Sequence, residues 1–222
     1  MEKYPKINVL YEDNHILVVE KPINIPVCED ESGDIDLLNM LKLYVKDKYN
    51  KPGNVYLGLV HRLDRPVGGV MVFARTSKAA SRLSDQVREH KLEKVYYAVV
   101  ENRIPKEGEF RDYLTKDKKR NISYISNKTD GKEAILHYKI LGYKKNFSLV
   151  EIHLETGRSH QIRLQFSSRG YPLVGDSKYN PNSDNKTSVA LFAKKLSFYH
   201  PISGDKLSFE LKLPKRYPFN LF

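Results

Sequence analysis

From Lys94 onward, apolar residues recur with a period of two, in short segments joined by polar turns. No other feature constrains the fold as strongly. A period of two puts alternate side chains on opposite faces of a strand, and a short turn lets consecutive strands pair only antiparallel. Val95 to Glu101 and Glu109 to Leu114 read as strands. Glu133 to Tyr143 and Phe147 to Glu155 flank Lys144-Lys145-Asn146 as a hairpin. Val189 to Tyr199 and Lys206 to Leu213 do the same around Ser203-Gly204-Asp205. At the other end, Ile7 to Leu10 and Ile16 to Glu20 flank the turn residues Tyr11 to His15, and Lys21-Pro22 closes the second run.

Helices are few. From Asp36 to Lys48, Leu37, Leu38, Leu41, Tyr44, Val45 and Lys48 follow helical spacing, with Asp34 or Asp36 as the cap and Lys51-Pro52-Gly53 as the stop. A second helix runs from Thr76 or Ser77 to about Glu89, burying Ala79, Ala80, Leu83 and Val87. A third, short one opens after Thr156 and ends near Gly170. Helices added to sequential hairpins predict an α+β domain with a central mixed, largely antiparallel sheet flanked by helices and loops. Thr115 to Asn127 is polar and basic. It reads either as a solvated loop or as a phosphate-contacting one, through Lys116, Lys118, Lys119 and Arg120. A polar insert from Asn180 to Thr187 is expected on the surface.

The 222 residues suffice for one domain, and no repeat or linker divides them, so residues 1–222 are expected to form a single domain. Lys and Arg exceed Asp and Glu by 11, which points to a polyanion such as nucleic acid. Cys28 is the lone cysteine, so neither an intrachain disulfide nor a thiolate zinc site is available. No apolar run approaches the ~20 residues of a membrane span, and Met1 to Ile7 lacks a signal-peptide core. A soluble, cytoplasmic protein is expected.

Four stretches carry candidate chemistry. His61-Arg62-Leu63-Asp64 lies between the apolar Leu57–Val60 and the strand-like Val70–Ala74, which places ionisable groups on a turn between buried segments. Read alone, Arg62 and Asp64 equally suit a structural ion pair. Gly157-Arg158-Ser159-His160-Gln161-Ile162-Arg163 sets two arginines five apart across a helix start, where free N–H groups favour an anion; ordinary capping is the simpler reading. Tyr96 and Tyr97 fall on opposite faces of one strand, so one faces the core. His61, Asp64, His153 and His160 offer a possible metal set for a hydrolase, though at no compact ligand spacing.

Taken together, these blocks resemble the RluA-type RNA pseudouridine synthases. His61-Arg62-Leu63-Asp64 with Gly69-Val70 is similar to that family's signature around its catalytic aspartate. Lys94-Val95-Tyr96-Tyr97-Ala98-Val99 is similar to its Lys-x-Tyr-x-Ala strand. Gly157 to Arg163, followed by Tyr171-Pro172-Leu173-Val174-Gly175-Asp176 and Tyr179, resembles its third block. Leu10-Tyr11-Glu12-Asp13 and Val18-Val19-Glu20-Lys21-Pro22 resemble its N-terminal hairpin. The resemblance spans roughly residues 7 to 213. Val67-Gly68-Gly69 departs from the usual Thr-Ser-Gly, and Asn24 replaces a common Gly. With Met1 so near the first strand, no S4-type RNA-binding domain is expected.

The resemblance implies a pseudouridine-synthase fold with a cleft across the sheet. It also implies isomerisation of uridine in rRNA or tRNA, without metal or cofactor. The carboxylate of Asp64 acts on a flipped-out nucleotide, as nucleophile or by supporting a glycal. Arg163 is implied as its charge partner, with Arg158 the second choice. Tyr96 is implied to stack on the uracil. Arg62, His61 and Arg158 are implied to bind RNA or hold the flipped state, and Leu173 and Val174 to line the uracil pocket. RNA is the expected partner, with no membrane and no obligatory protein partner, and a monomer is the default. An inactive RNA-binding module of the same fold is the nearest alternative.

Overall fold

The computed structural model describes residues 7–183 and 186–222. Met1 to Lys6, and Asp184 and Asn185 of the expected polar insert, lie outside the described residues. Among the described residues strands dominate, with three α-helices and a terminal 3-10 turn, an α+β fold. The chain begins with β1 (Asn8–Glu12), β2 (Ile16–Lys21), α1 (Leu37–Lys48), β3 (Gly58–Leu59), β4 (Gly68–Ala74) and α2 (Ser77–Arg88). Next come β5 (Glu93–Glu101), β6 (Glu107–Asp117), β7 (Ile122–Ser126), β8 (Lys132–Lys144), β9 (Phe147–Leu154) and α3 (Gln161–Ser167). β10 (Leu191–Tyr199) and β11 (Lys206–Glu210) complete the strands. Two compact units emerge: 1–92 with 195–211, and 93–194 with 212–222.

In the first unit, β2 pairs antiparallel with β1 and with β4, and β11 pairs with β10. Ile16, Val18, Val70 and Val72 alternate onto one face and meet Ala79 and Leu83 of α2, with Leu196 and Phe198. Thr76 caps α2 by accepting the Ala79 N–H at 3.2 Å, and Asp36 caps α1 by accepting that of Asn39 at 3.0 Å. Each such cap contributes about 1 kcal/mol. Of the two candidate caps for each helix, Thr76 and Asp36 are therefore the ones used. Asn24 adopts φ +62°, the left-handed turn its side chain tolerates.

In the second unit, β5 pairs with β9, β9 with β8, β8 with β6 and β6 with β7, all antiparallel. Phe110, Tyr138 and Phe166 interlock with ring centroids 4.8, 5.0 and 5.6 Å apart. Leu114 and Ala134 pack on Leu164 of α3. The structure corrects one expectation: Thr115 to Asn127 is a hairpin, because β6 continues to Asp117 and β7 runs beside it from Ser126 to Ile122. Tyr113, Thr115, Ile122 and Tyr124 are good strand formers, and the lysines between them obscured the period.

Candidate active site

Asp64 sits after β3 and opens a turn in which its carbonyl accepts the Val67 N–H at 3.0 Å. Leu63 and Val67 anchor the turn in the core, Asp64 is partly buried and Arg62 is exposed. Register explains what holds it. Lys21 lies opposite Gly69 in the β2–β4 ladder and is itself 1% exposed. From there Nζ donates to the carbonyls of Pro22, Arg65 and Val67 at 2.9, 3.0 and 2.8 Å. A buried lysine head group thus ties the end of β2 to the turn that follows Asp64. Arg65 braces the same turn outward, through Asn24 O, Ser32 Oγ and the Asp34 carboxylate. His61 Nε2 accepts the Val72 N–H at 3.1 Å, pinning the segment to β4.

Burial pushes the Lys21 pKa down to about 7, and the Asp64 carboxylate is the neighbouring charge that works in the opposite sense. An unfolded lysine holds its proton to about pH 10.5. Between about pH 7 and that value the folded chain binds fewer protons here than the unfolded chain, so stability rises with pH across the window. Below it both states are protonated and the dependence vanishes. Urea titrations of wild type and Lys21→Met are expected to diverge through this window by up to about 1.4 kcal/mol per pH unit. A difference independent of pH would reject the buried titration.

The other candidate groups belong to the second unit. Tyr96 faces inward on β5, 7% exposed and opposite Ile152. Tyr97 takes the other face, donating to Glu151 at 3.2 Å with the Lys194 ammonium over its ring. Leu173 and Val174 are buried along β5, with Val174 N–H on Val99 O at 3.0 Å. Arg163 is 4% exposed on α3, and the Asp176 carboxylate, fully buried, grips one edge of it. Nε reaches Oδ2 at 2.8 Å and Nη2 reaches Oδ1 at 2.6 Å. Asp176 Oδ1 also accepts from the backbone of Lys178 and Tyr179. Such a side-on pair fixes a guanidinium in direction as well as charge.

Gly175 carries Asp176 through a φ of +73°, and a Cβ there would lie 2.5 Å from Thr187 O. Gly175→Ala is therefore expected to cost at least about 2 kcal/mol, measured by urea denaturation. A loss below ~0.5 kcal/mol would show that this turn relaxes freely.

Of the two readings of the loop before α3, an anion site or ordinary capping, its backbone contacts fit the second. The Arg158 N–H donates to Gln161 Oε1 at 3.0 Å, so that group is already satisfied, and α3 has only seven residues. The Arg158 side chain is exposed, with Nε on Glu133 O at 2.8 Å. His160 adopts φ +55° and shares a 2.8 Å hydrogen bond with the Tyr179 hydroxyl, while His153 contacts Glu151 at 3.0 Å. Among the described residues no three His, Cys, Asp or Glu side chains gather as a metal site, which corrects the reading of His61, Asp64, His153 and His160 as one. Each of the three histidines instead has a structural partner.

A family model described as RNA pseudouridylate synthase matches residues 15–168, more than half of the chain. The chain belongs to the RNA pseudouridylate synthase family. Among curated members, a ribosomal large subunit pseudouridine synthase D of Zymomonas mobilis is 33% identical over 94% of this chain and 70% of its own length. An uncharacterised RNA pseudouridine synthase of Bacillus subtilis is 34% identical over 96% and 70%. The solved human RNA pseudouridylate synthase domain containing 4 superposes with a TM-score of 0.79 at 22% identity, over 96% of this chain and 91% of that one, and shares its fold. None of the described helices is long and apolar enough to cross a membrane.

Sequence reasoning missed two residues, one in each unit. Lys21 was assigned only to a strand end, although a lysine inside an apolar strand is itself a signal for a specific buried role. Asp176 had no role, yet a single carboxylate in the apolar loop Tyr171–Gly175 calls for a buried cation.

Proposed function

We propose that this RNA pseudouridine synthase isomerises specific uridines of ribosomal or transfer RNA, and that its 222 residues work as one catalytic domain. The reaction breaks the N1–C1′ bond, turns the uracil and joins C5 to C1′; the proton lost from C5 appears on N1. In this reading Asp64 supplies the carboxylate that acts on the ribose, Tyr96 stacks against the uracil, and Arg163 provides the positive charge the site needs. Leu173 and Val174 shape the apolar wall of the uracil pocket. Arg62, exposed two residues before Asp64, contacts the RNA around the flipped nucleotide, with His61 and Arg158 in supporting RNA contacts.

The observation that carries this reading is the joint presence of the three blocks in a chain whose residues 15–168 match the family. The rigid mounting of Asp64 by Lys21 supports it, since a carboxylate that acts on a ribose must be held in place. Flipping a nucleotide costs a few kcal/mol, least in loops, and a basic chain offsets it through phosphate contacts. The protein acts as a cytoplasmic monomer without a protein partner.

The test is tritium release from cellular ribosomal and transfer RNA labelled at uracil C5. Wild-type protein is expected to release tritium from one of the two pools and to leave pseudouridine at defined positions. No release from either pool, with RNA still bound, would favour the inactive RNA-binding alternative.

A further inference from the structure

We propose that Lys94, Arg158 and Lys116 form one cationic strip on the second unit that binds backbone phosphates of the RNA substrate, an assignment that rests on the synthase reading for its ligand.

Lys94 precedes Tyr96 by two residues on β5, so both side chains leave the same face of the strand. Its ammonium lies only 3.3 Å from where a Cβ at Gly157 would stand. Glycine at 157 thus leaves room for the Lys94 head group against the loop backbone. Burial depresses the Lys94 pKa, and the charge beside it is another cation, Arg158. Among the described residues, Lys94 and Arg158 form no ion pair with a carboxylate. A largely buried ammonium next to a guanidinium is costly unless an anion completes it.

The third cation is brought to the same loop by hydrogen bonds. Ser123 stands opposite Lys116 in the β6–β7 ladder, so the two side chains share a face. The Ser123 hydroxyl donates to Ser159 O at 2.8 Å, and its N–H donates to the Tyr179 hydroxyl at 2.7 Å. Lys178 adds a bond from Nζ to Asn121 O at 2.7 Å. These bonds hold the basic hairpin beside the loop that leads to Arg163. Lys116 is exposed there, and Lys118, Lys119 and Arg120 follow at the tip.

The nearby acids are engaged elsewhere. Glu133 Oε1 accepts from Arg111 at 2.8 Å, Glu155 Oε1 contacts His137 at 2.6 Å, and Asp117 accepts the Arg120 N–H at 3.0 Å. Positive charge spaced along a loop next to the Tyr96 face suits a phosphodiester chain entering the site. An isolated carboxylate would need only one of these cations.

The test uses the full chain and a fluorescein-labelled RNA hairpin with unpaired uridines, followed by anisotropy across a potassium chloride series. Lys94→Gln and Lys116→Gln are each expected to reduce the slope of log affinity against log salt by about 0.7–0.9, and the double variant by about twice that. Lys94→Arg should keep the wild-type slope, which separates lost charge from disturbed packing. Lys116→Glu, at an exposed position, should weaken binding beyond Lys116→Gln. An unchanged slope in both Lys116 variants and in the double variant would overturn the strip. Tritium release by the wild type reports the synthase reading separately. Release with unchanged slopes rejects the strip alone, and reduced slopes without any release reject the reaction alone.

Discussion

Asp64→Asn is expected to lower pseudouridine formation by at least about a thousandfold, some 4 kcal/mol of transition-state stabilisation. The substitution keeps the shape of the side chain and removes its charge, so both the nucleophilic and the charge-stabilising routes fail. RNA binding should persist or tighten, because a negative charge is withdrawn from a basic protein. Tritium release under single-turnover conditions, with binding measured on the same RNA, separates these effects. Release at the wild-type rate would remove Asp64 from the mechanism. The turn supplies a second readout. Asp64 is the charge that raises the Lys21 pKa, so its loss should move the Lys21 titration to lower pH. The rise of stability with pH would then begin earlier in the variant than in the wild type.

Asp176→Ala is expected to destabilise the fold by about 3–5 kcal/mol, because it removes the bidentate carboxylate from the buried Arg163 guanidinium, 4% exposed. For a chain of this size that corresponds to a fall in Tm of roughly 10 °C. Asp176→Asn should cost less, since an amide oxygen still accepts one of the two guanidinium bonds. Replacing both partners, Arg163→Met with Asp176→Leu, should recover much of the stability by removing the buried charges together. The same double variant should remain inactive if Arg163 serves the reaction. Urea denaturation and tritium release on the wild type, the Arg163→Met and Asp176→Leu single variants and the double variant give the full cycle. An Asp176→Ala variant within ~0.5 kcal/mol of the wild type would show that the pair does not hold this loop.

Local signals transferred well from the chain to the fold. The period-two runs became β5, β6, β8, β9, β10 and β11, and the Asp36 and Thr76 caps started α1 and α2 where side-chain oxygens meet free N–H groups. β7 was missed because its strand formers sit next to a lysine cluster, and composition outweighed alternation. The loop at Arg158 admits both an anion site and ordinary capping, and the Arg158 N–H is taken by Gln161 through a contact between residues three apart that no periodicity reveals.

Two things were legible in the order of residues: an α+β architecture built from hairpins, and the three blocks that place this chain among the RNA pseudouridylate synthases. Both follow from interactions between near neighbours, or from motifs that are themselves strings. What folding alone decided is how the key groups are held. Lys21 reaches the turn after Asp64 across 44 and 46 positions of chain, and Asp176 reaches Arg163 across 13. Burial gives these contacts their force, because a charge removed from water must find its partner wherever the fold brings one. The order of residues marks out His61-Arg62-Leu63-Asp64 as a family-like string, while a buried lysine on another strand holds the turn that follows it.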